Sequence, residues 1–245
     1  MIKIENYEVL GWEHAIRGMR NPMNSWEKSD TLFFDDITGD RRTISQKRPR
    51  SKYIFIELGD EDHKLMMNLR NAGTDHRKFM RMIVVYLDIT APLYWWKEFD
   101  TYKVGTVANS CSTMHKIQAK EFVLEDFSTE HLFDEDSLGV QVYSLDAFRQ
   151  ILESLNTARE AFLATKDKHY WWQMIQLLPS SYNQKRTVML NYEVLANIYK
   201  ARKSHKLDEW REFCKWIEGL PYSELITGKA VNDADSVGAG KEKLR

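Results

Sequence analysis

Between Val107 and Lys116 the chain reads VANSCSTMHK, which sets an amide, a thiol, several hydroxyls and an imidazole within a few residues of one another. A loop of small polar residues can turn backbone N–H groups and hydroxyls toward an anion or a polarised carbonyl. Asn109, Cys111, Ser112 and Thr113 are its chemistry-bearing candidates. Two readings stand for Cys111: a small inert residue, or a nucleophile whose thiolate a nearby cation such as Lys103 or His115 would favour. His115 and His76 lack partners at metal-ligand spacing, so no metal site is expected.

A second polar set lies in TVMLNYEVLANIYKARK. The spacing predicts a helix from about Thr187 to Lys203. At about 100° per residue, Leu190, Val194, Leu195, Ile198 and Tyr199 share an apolar stripe, with Asn191 and Arg202 near its middle and Asn197 at its edge. A guanidinium carried inward must be matched, because an unpaired buried charge costs several kcal/mol, on the order of a domain's whole margin of stability. An ion pair with Glu193 or Glu98, a shorter helix, or an anion-binding pocket would each meet that demand.

These residues sit in a chain of 245 with formal net charge -1, five prolines, eleven glycines and two cysteines. Near-zero charge implies no general attraction to nucleic acid or membrane. Two cysteines make no disulfide framework, and MIKIENYEVLGWEH has no signal-peptide core. With no apolar run of membrane-spanning length, the reading is a soluble, cytoplasmic protein. SKYIFIEL (Ser51 to Leu58) and MRMIVVYLDI (Met80 to Ile89) predict strands. EDHKLMMNLRNAG predicts a helix with a C-terminal glycine, and TAPLYWWKEFD one with Pro92 in its first turn behind Thr90. In SLDAFRQILESLNTAREAFLATK, Phe148, Ile151, Leu152, Leu155, Phe162 and Leu163 share a helical face, and a last helix covers about Leu207 to Glu218. Trp95 and Trp96 are read as core or subunit packing. The basic GDRRTISQKRPRSK (Gly39 to Lys52) is read as a solvated loop or a cover for a polyanion. The expected fold is α+β: one mixed domain over residues 1–227, with a small sheet in the first half and a helix-rich second half. A disordered tail follows over 228–245, whose GAGK lacks P-loop spacing.

LPSSYNQKRTVMLNYEVLANIYKAR resembles the carboxy-terminal signature of the flavin-dependent thymidylate synthases, the ThyX family. Leu178, Pro179, Asn191, Asn197 and Arg202 match its Leu-Pro, Asn-x-Arg, Asn and Arg positions without a gap. Trp210 and Arg211 stand where the family has a Trp-Glu-like pair. VVYLDITAPLYWW is similar to the strand-Ala-Pro-helix segment that leads to its Arg-His-Arg motif. AIRGMRNPMNSW resembles its Arg-Ala-Ala-Arg-x-Ser segment at Arg17 and Arg20. The likeness covers roughly Ile16 to Pro221.

The departures fall on the same motifs. Counted from Ala91-Pro92, the Arg-His-Arg triplet falls on Thr101, Tyr102 and Lys103, so only Lys103 keeps a charge. The family's active-site serine falls on Cys111, or on Ser112 with a shift of one, and a nucleotide-binding arginine falls on Thr113. KFMRM (Lys78 to Met82) replaces its Thr-Pro-Phe-Glu-His segment, and Glu193 replaces the arginine of Asn-x-Arg. So altered a chain suits a phage-like origin.

The resemblance implies flavin-dependent one-carbon transfer to C5 of a pyrimidine deoxynucleotide, with FAD, a nicotinamide donor (NADPH) and methylenetetrahydrofolate, in a homotetramer. It assigns Cys111 and Ser112 to catalysis and Arg202, Asn109, Thr113 and Lys103 to the nucleotide. Asn191, Asn197, Lys78 and Tyr102 go to the flavin, with the Cys111 loop and Arg202 lining one cavity. A non-catalytic nucleotide-binding or assembly protein that kept the fold is the alternative.

Overall fold

The computed structural model describes residues 1–35, 39, 41–44, 53–133 and 143–228. Most of the basic Gly39 to Lys52 stretch and the tail after Gly228, GAGK included, lie outside them. In chain order the elements are β1 (Lys3–Leu10), α1 (Trp12–Arg20), β2 (Leu32–Asp35), β3 (Arg41–Arg42), β4 (Tyr53–Glu57), α2 (Asp60–Asn71), β5 (Val84–Pro92) and α3 (Leu93–Phe99). Then follow β6 (Val107–Ser110), α4 (Ser144–Thr165), α5 (Lys168–Leu177), β7 (Asn183–Asn191), α6 (Tyr192–Arg202), α7 (Asp208–Glu218) and α8 (Glu224–Thr227). Short 3-10 turns join several of them. The fold is α+β, with a four-stranded sheet ordered β1-β5-β7-β6 and a three-stranded sheet ordered β3-β2-β4. In the smaller sheet β2 pairs antiparallel with both neighbours, Phe33 lying opposite Arg42 and Ile56.

Contacts divide the chain into two compact units, and each strand of the larger sheet has residues in both. The first unit comprises Met1–Asn6, Leu87–Thr101 and Ala108–Val188. In it α4 and α5 pack as a hairpin on Ile117, Phe122, Phe127, Phe148, Leu155, Ala158 and Met174. Ile151, Leu152 and Phe162 join this core from the predicted stripe, but Leu163 is exposed. It lies in the last turn of α4, which ends at Thr165. On α3, Trp95, Trp96 and Phe99 are all buried, with Trp95 stacked on Phe99 at 5.1 Å. The tryptophans are therefore packing, and both are covered because more than one side of this short helix is enclosed. Pro92 ends β5 instead of starting the helix turn. The first N–H groups of α3 bond Tyr182 and Ser180 carbonyls at 3.0 Å each, which satisfies donors that a helix N-terminus leaves open.

The second unit comprises Tyr7–Tyr86, Tyr102–Val107 and Met189–Arg245. Trp12 of α1 packs edge-on against Tyr192 and Tyr222, at 5.5 and 5.3 Å. Most of α6 is buried, from Tyr192 to Ala196 and at Ile198 and Tyr199. The helix expected from Thr187 begins only at Tyr192, and the residues before it form β7. Burial of Gln184, Val188, Leu190 and Asn191 suits a strand, and Thr187 and Val188 favour one. The apolar run thus serves two elements in succession, and the helical period of the second holds only from Tyr192 onward.

Candidate functional site

In the first unit the Cys111 loop is fixed from two sides. The Cys111 N–H donates to the Lys185 carbonyl at 2.9 Å, and Gln184 Nε2 donates to the Cys111 carbonyl at 2.8 Å, so β7 holds the backbone at the thiol. From α5, Trp171 Nε1 donates to the Met114 carbonyl at 3.1 Å. Ser112 Oγ accepts from the Met114 and His115 N–H groups at 3.2 and 3.0 Å and lies 2.8 Å from His115 Nδ1. With its acceptor sites so used, the hydroxyl directs its own proton at Nδ1. Asn109, Cys111 and Ser112 are exposed and Thr113 is half-buried.

The strand that supports this loop carries a charged face. Asp88 accepts from Thr187 Oγ1 at 2.7 Å and Asn6 Nδ2 at 3.0 Å, and lies 3.1 Å from Lys185 Nζ. The Thr187 hydroxyl, the Asn6 amide and the Lys185 ammonium together hold its carboxyl at about 2. Lys185 is raised in turn, chiefly by its bond to Asp88, with the Glu5 carboxylate adding to the rise. Lys185 escapes a reading that starts a helix at Thr187; taking NQKRTVML as a strand is the signal that finds it. Arg186 spans Asp100 at 2.8 Å and the Trp96 ring at 4.2 Å, while Trp96 Nε1 donates to the Gln184 carbonyl at 2.9 Å. The aromatic helix therefore braces the strand that carries the loop.

In the second unit Arg202 ends α6 half-buried. Its Nε donates to Tyr102 Oη at 3.0 Å, its Nη1 lies 2.9 Å from His205 Nε2, and its guanidinium sits 4.8 Å from the ring centre of the fully buried Trp210. Stacking and hydrogen bonding together fix a plane that is otherwise free to turn. Glu193, one of the partners expected for Arg202, is instead bound by Arg77, with Nε 2.9 Å from Oε2; Arg77 Nη2 also reaches Asn197 Oδ1 at 3.4 Å. Asn197 is exposed, as its edge position implied. Asn191 caps α6, its Oδ1 accepting the Val194 N–H at 3.0 Å, and its amide nitrogen lies against Gly105. With φ of +80°, and with a Cβ there only 2.8 Å from that nitrogen, position 105 demands glycine. Tyr102 thus joins Arg202, while Lys78 and Lys103 are exposed. Among the described residues no group of three acidic, histidine or cysteine side chains could hold a metal, and no helix is long and apolar enough to cross a membrane.

No family model and no curated protein matches this sequence. Solved structures do. The flavin-dependent thymidylate synthase ThyX from Helicobacter pylori, complexed with FAD and dUMP, matches with a TM-score of 0.60 at 16% identity, over 93% of this chain and 98% of that one. A second structure of that enzyme with FAD and dUMP gives 0.59 at 16% identity, over 93% and 97%. A UMP/dUMP methylase, PolB from Streptomyces cacaoi, bound with 5-Br dUMP, gives 0.51 at 13% identity over 89% and 88%. The chain has the ThyX-like fold, as its motif order implied.

Proposed function

We propose that this protein binds a pyrimidine deoxynucleotide and transfers a one-carbon group to its C5 with the help of a bound FAD. The observation that carries the reading is end-to-end likeness: 93% of this chain aligns with 98% of an enzyme solved with FAD and dUMP. Arg202 would hold the anionic part of the nucleotide, and Asn109, Thr113 and Lys103 its other polar atoms. Cys111 would add as thiolate to C6 of the ring, shifting an electron pair to C5 and O4; C5 would use that pair to bond the one-carbon unit, and the pair left when C5 then gives its proton to solvent would restore the C5–C6 double bond and expel the thiolate, while Ser112 would order the loop and a nearby carbonyl.

FAD would supply the redox chemistry of the transfer when bound. The donor set fits it in part. Lys78 offers positive charge to a pyrophosphate, and Asn191, Asn197 and Tyr102 offer polar atoms to its ring or ribityl chain. Arg77 is already held against buried Glu193, so the charge is smaller than an arginine-rich site provides, and FAD is expected to bind weakly. A nicotinamide donor and methylenetetrahydrofolate belong to the same proposal. That neutralised arginine also favours a second reading, a nucleotide-binding protein without catalysis.

Visible absorption separates the two. A purified protein with a flavin band, or one that gains it on adding FAD, supports the enzyme; a colourless protein that ignores FAD but binds dUMP supports the binder. Replacing Arg202 with Met is expected to weaken dUMP binding by roughly 2 to 4 kcal/mol in calorimetry, and unchanged binding overturns its role.

A further inference from the structure

The turn between α6 and α7 is unusually well tied. His205 N–H donates to the Arg202 carbonyl at 2.9 Å, and Arg211 Nη1 donates to the carbonyls of His205 and Lys206 at 2.8 and 2.9 Å. These bonds fix the imidazole with its ring edge-on to Trp210, 6.3 Å between centres, and its Nε2 2.9 Å from Arg202 Nη1. The other ring nitrogen lies 3.2 Å from Leu207 N. A neutral imidazole has one lone pair and a guanidinium is always a donor, so the two N–H groups compete for it. Arg202 makes the shorter contact and is charged, which makes it the stronger partner.

We propose that His205 is a positioning residue that aims the Arg202 guanidinium, on the reading that Arg202 holds the nucleotide's anionic part. Tyr102 restrains the guanidinium at Nε, Trp210 covers one face, and His205 holds it at Nη1. A guanidinium already aimed loses less freedom when an anion arrives, so affinity gains without a new contact to the ligand. Sequence alone hides this, because His205 stands in a turn and at no position of the matching motifs.

The test is calorimetric titration of full-length protein with dUMP, with thermal melting of each variant alongside. His205→Ala is expected to weaken binding about tenfold, the effect of a lost charge-assisted bond. His205→Gln, whose amide oxygen can accept from Nη1, is expected to stay within about threefold of the unsubstituted protein. In the Arg202→Met background, His205→Ala is expected to add nothing. If His205→Ala binds as tightly as the unsubstituted protein while Arg202→Met binds weakly, the inference is overturned and the role of Arg202 stands. If Arg202→Met binds unchanged, the nucleotide reading falls and the inference with it. Should His205→Ala not fold, His205→Asn serves, its oxygen being too short to reach; equal affinity of the Asn and Gln variants overturns the proposal.

Discussion

At the junction of β7 and α6, Asn191 accepts the Val194 N–H through Oδ1 while its amide nitrogen faces Gly105. Cap and ligand donor are separable functions. Asn191→Ser keeps an N-capping oxygen and is expected to melt near the unsubstituted protein, whereas Asn191→Ala should lose about 1 kcal/mol. Both should weaken flavin binding if Nδ2 serves the cofactor, and a Ser variant that binds FAD unchanged would reduce Asn191 to a cap. A harsher residue-scale test lies in α2, where buried Asp62 accepts from Arg20 Nε, Ser29 Oγ and Thr31 Oγ1, each at 2.6 Å. Asp62→Ala strands a buried guanidinium and is expected to cost about 3 to 5 kcal/mol in denaturant unfolding. From sequence, the edge position of Asn197 on α6 and the place of Arg202 at its end were legible because helical spacing orders them. That Asn191 caps was not, since a cap is recognised only once the residues before it are known to be extended.

At the scale of elements, α8 is held by side chains of α2. Arg70 Nε and Nη2 bond the Leu225 and Ile226 carbonyls at 3.0 and 3.1 Å, and His63 Nε2 lies 2.8 Å from Glu224 Oε1. The bond to Glu224 raises the proton affinity of His63 against the opposing effect of burial, with Asp60 adding to the rise. A histidine raised in the folded state contributes its full stability below its unfolded value, about 6.5, and loses it as pH climbs through the higher folded value. The melting-temperature advantage over Glu224→Gln should therefore be greatest near about pH 6 and shrink as the solution becomes alkaline; an advantage that grows with pH would refute the pairing. Elements with strong periodicity, α4 and α7, were legible in advance, as were the strand and helix flanking Pro92. β1 and β2 were not, because KIENYEVL alternates poorly, with Asn6 at positive φ, and LFFD is only four residues long. β7 was hidden by an apolar run shared with α6, and Lys185 was hidden with it.

For the whole molecule the order of motifs conveyed the fold where no single motif would have, and it conveyed less about the site, because Glu193, Tyr102 and Cys111 depart from the residues those motifs would require. Assembly is the property most exposed to test. Large apolar side chains stand at the surface, including Met23, Trp26, Val104, Met114, Phe133, Tyr143 and Trp172, with Val104 90% and Met23 81% exposed. At a formal charge of -1 there is little net repulsion to keep copies apart. Exposed apolar groups of this kind are available to a partner, and closed symmetric assemblies are the usual outcome where copies associate. The resemblance to the ThyX family implies a homotetramer whose ligand grooves take residues from more than one copy, and we expect a light-scattering mass near four times 29.0 kDa. FAD and dUMP should raise the melting temperature only under conditions where the assembly persists, because ligands that bind across copies stabilise the assembled form. A monomer at micromolar concentration that still binds both ligands at full strength would mean that each copy carries a complete site, and the shared-groove proposal would have to be abandoned.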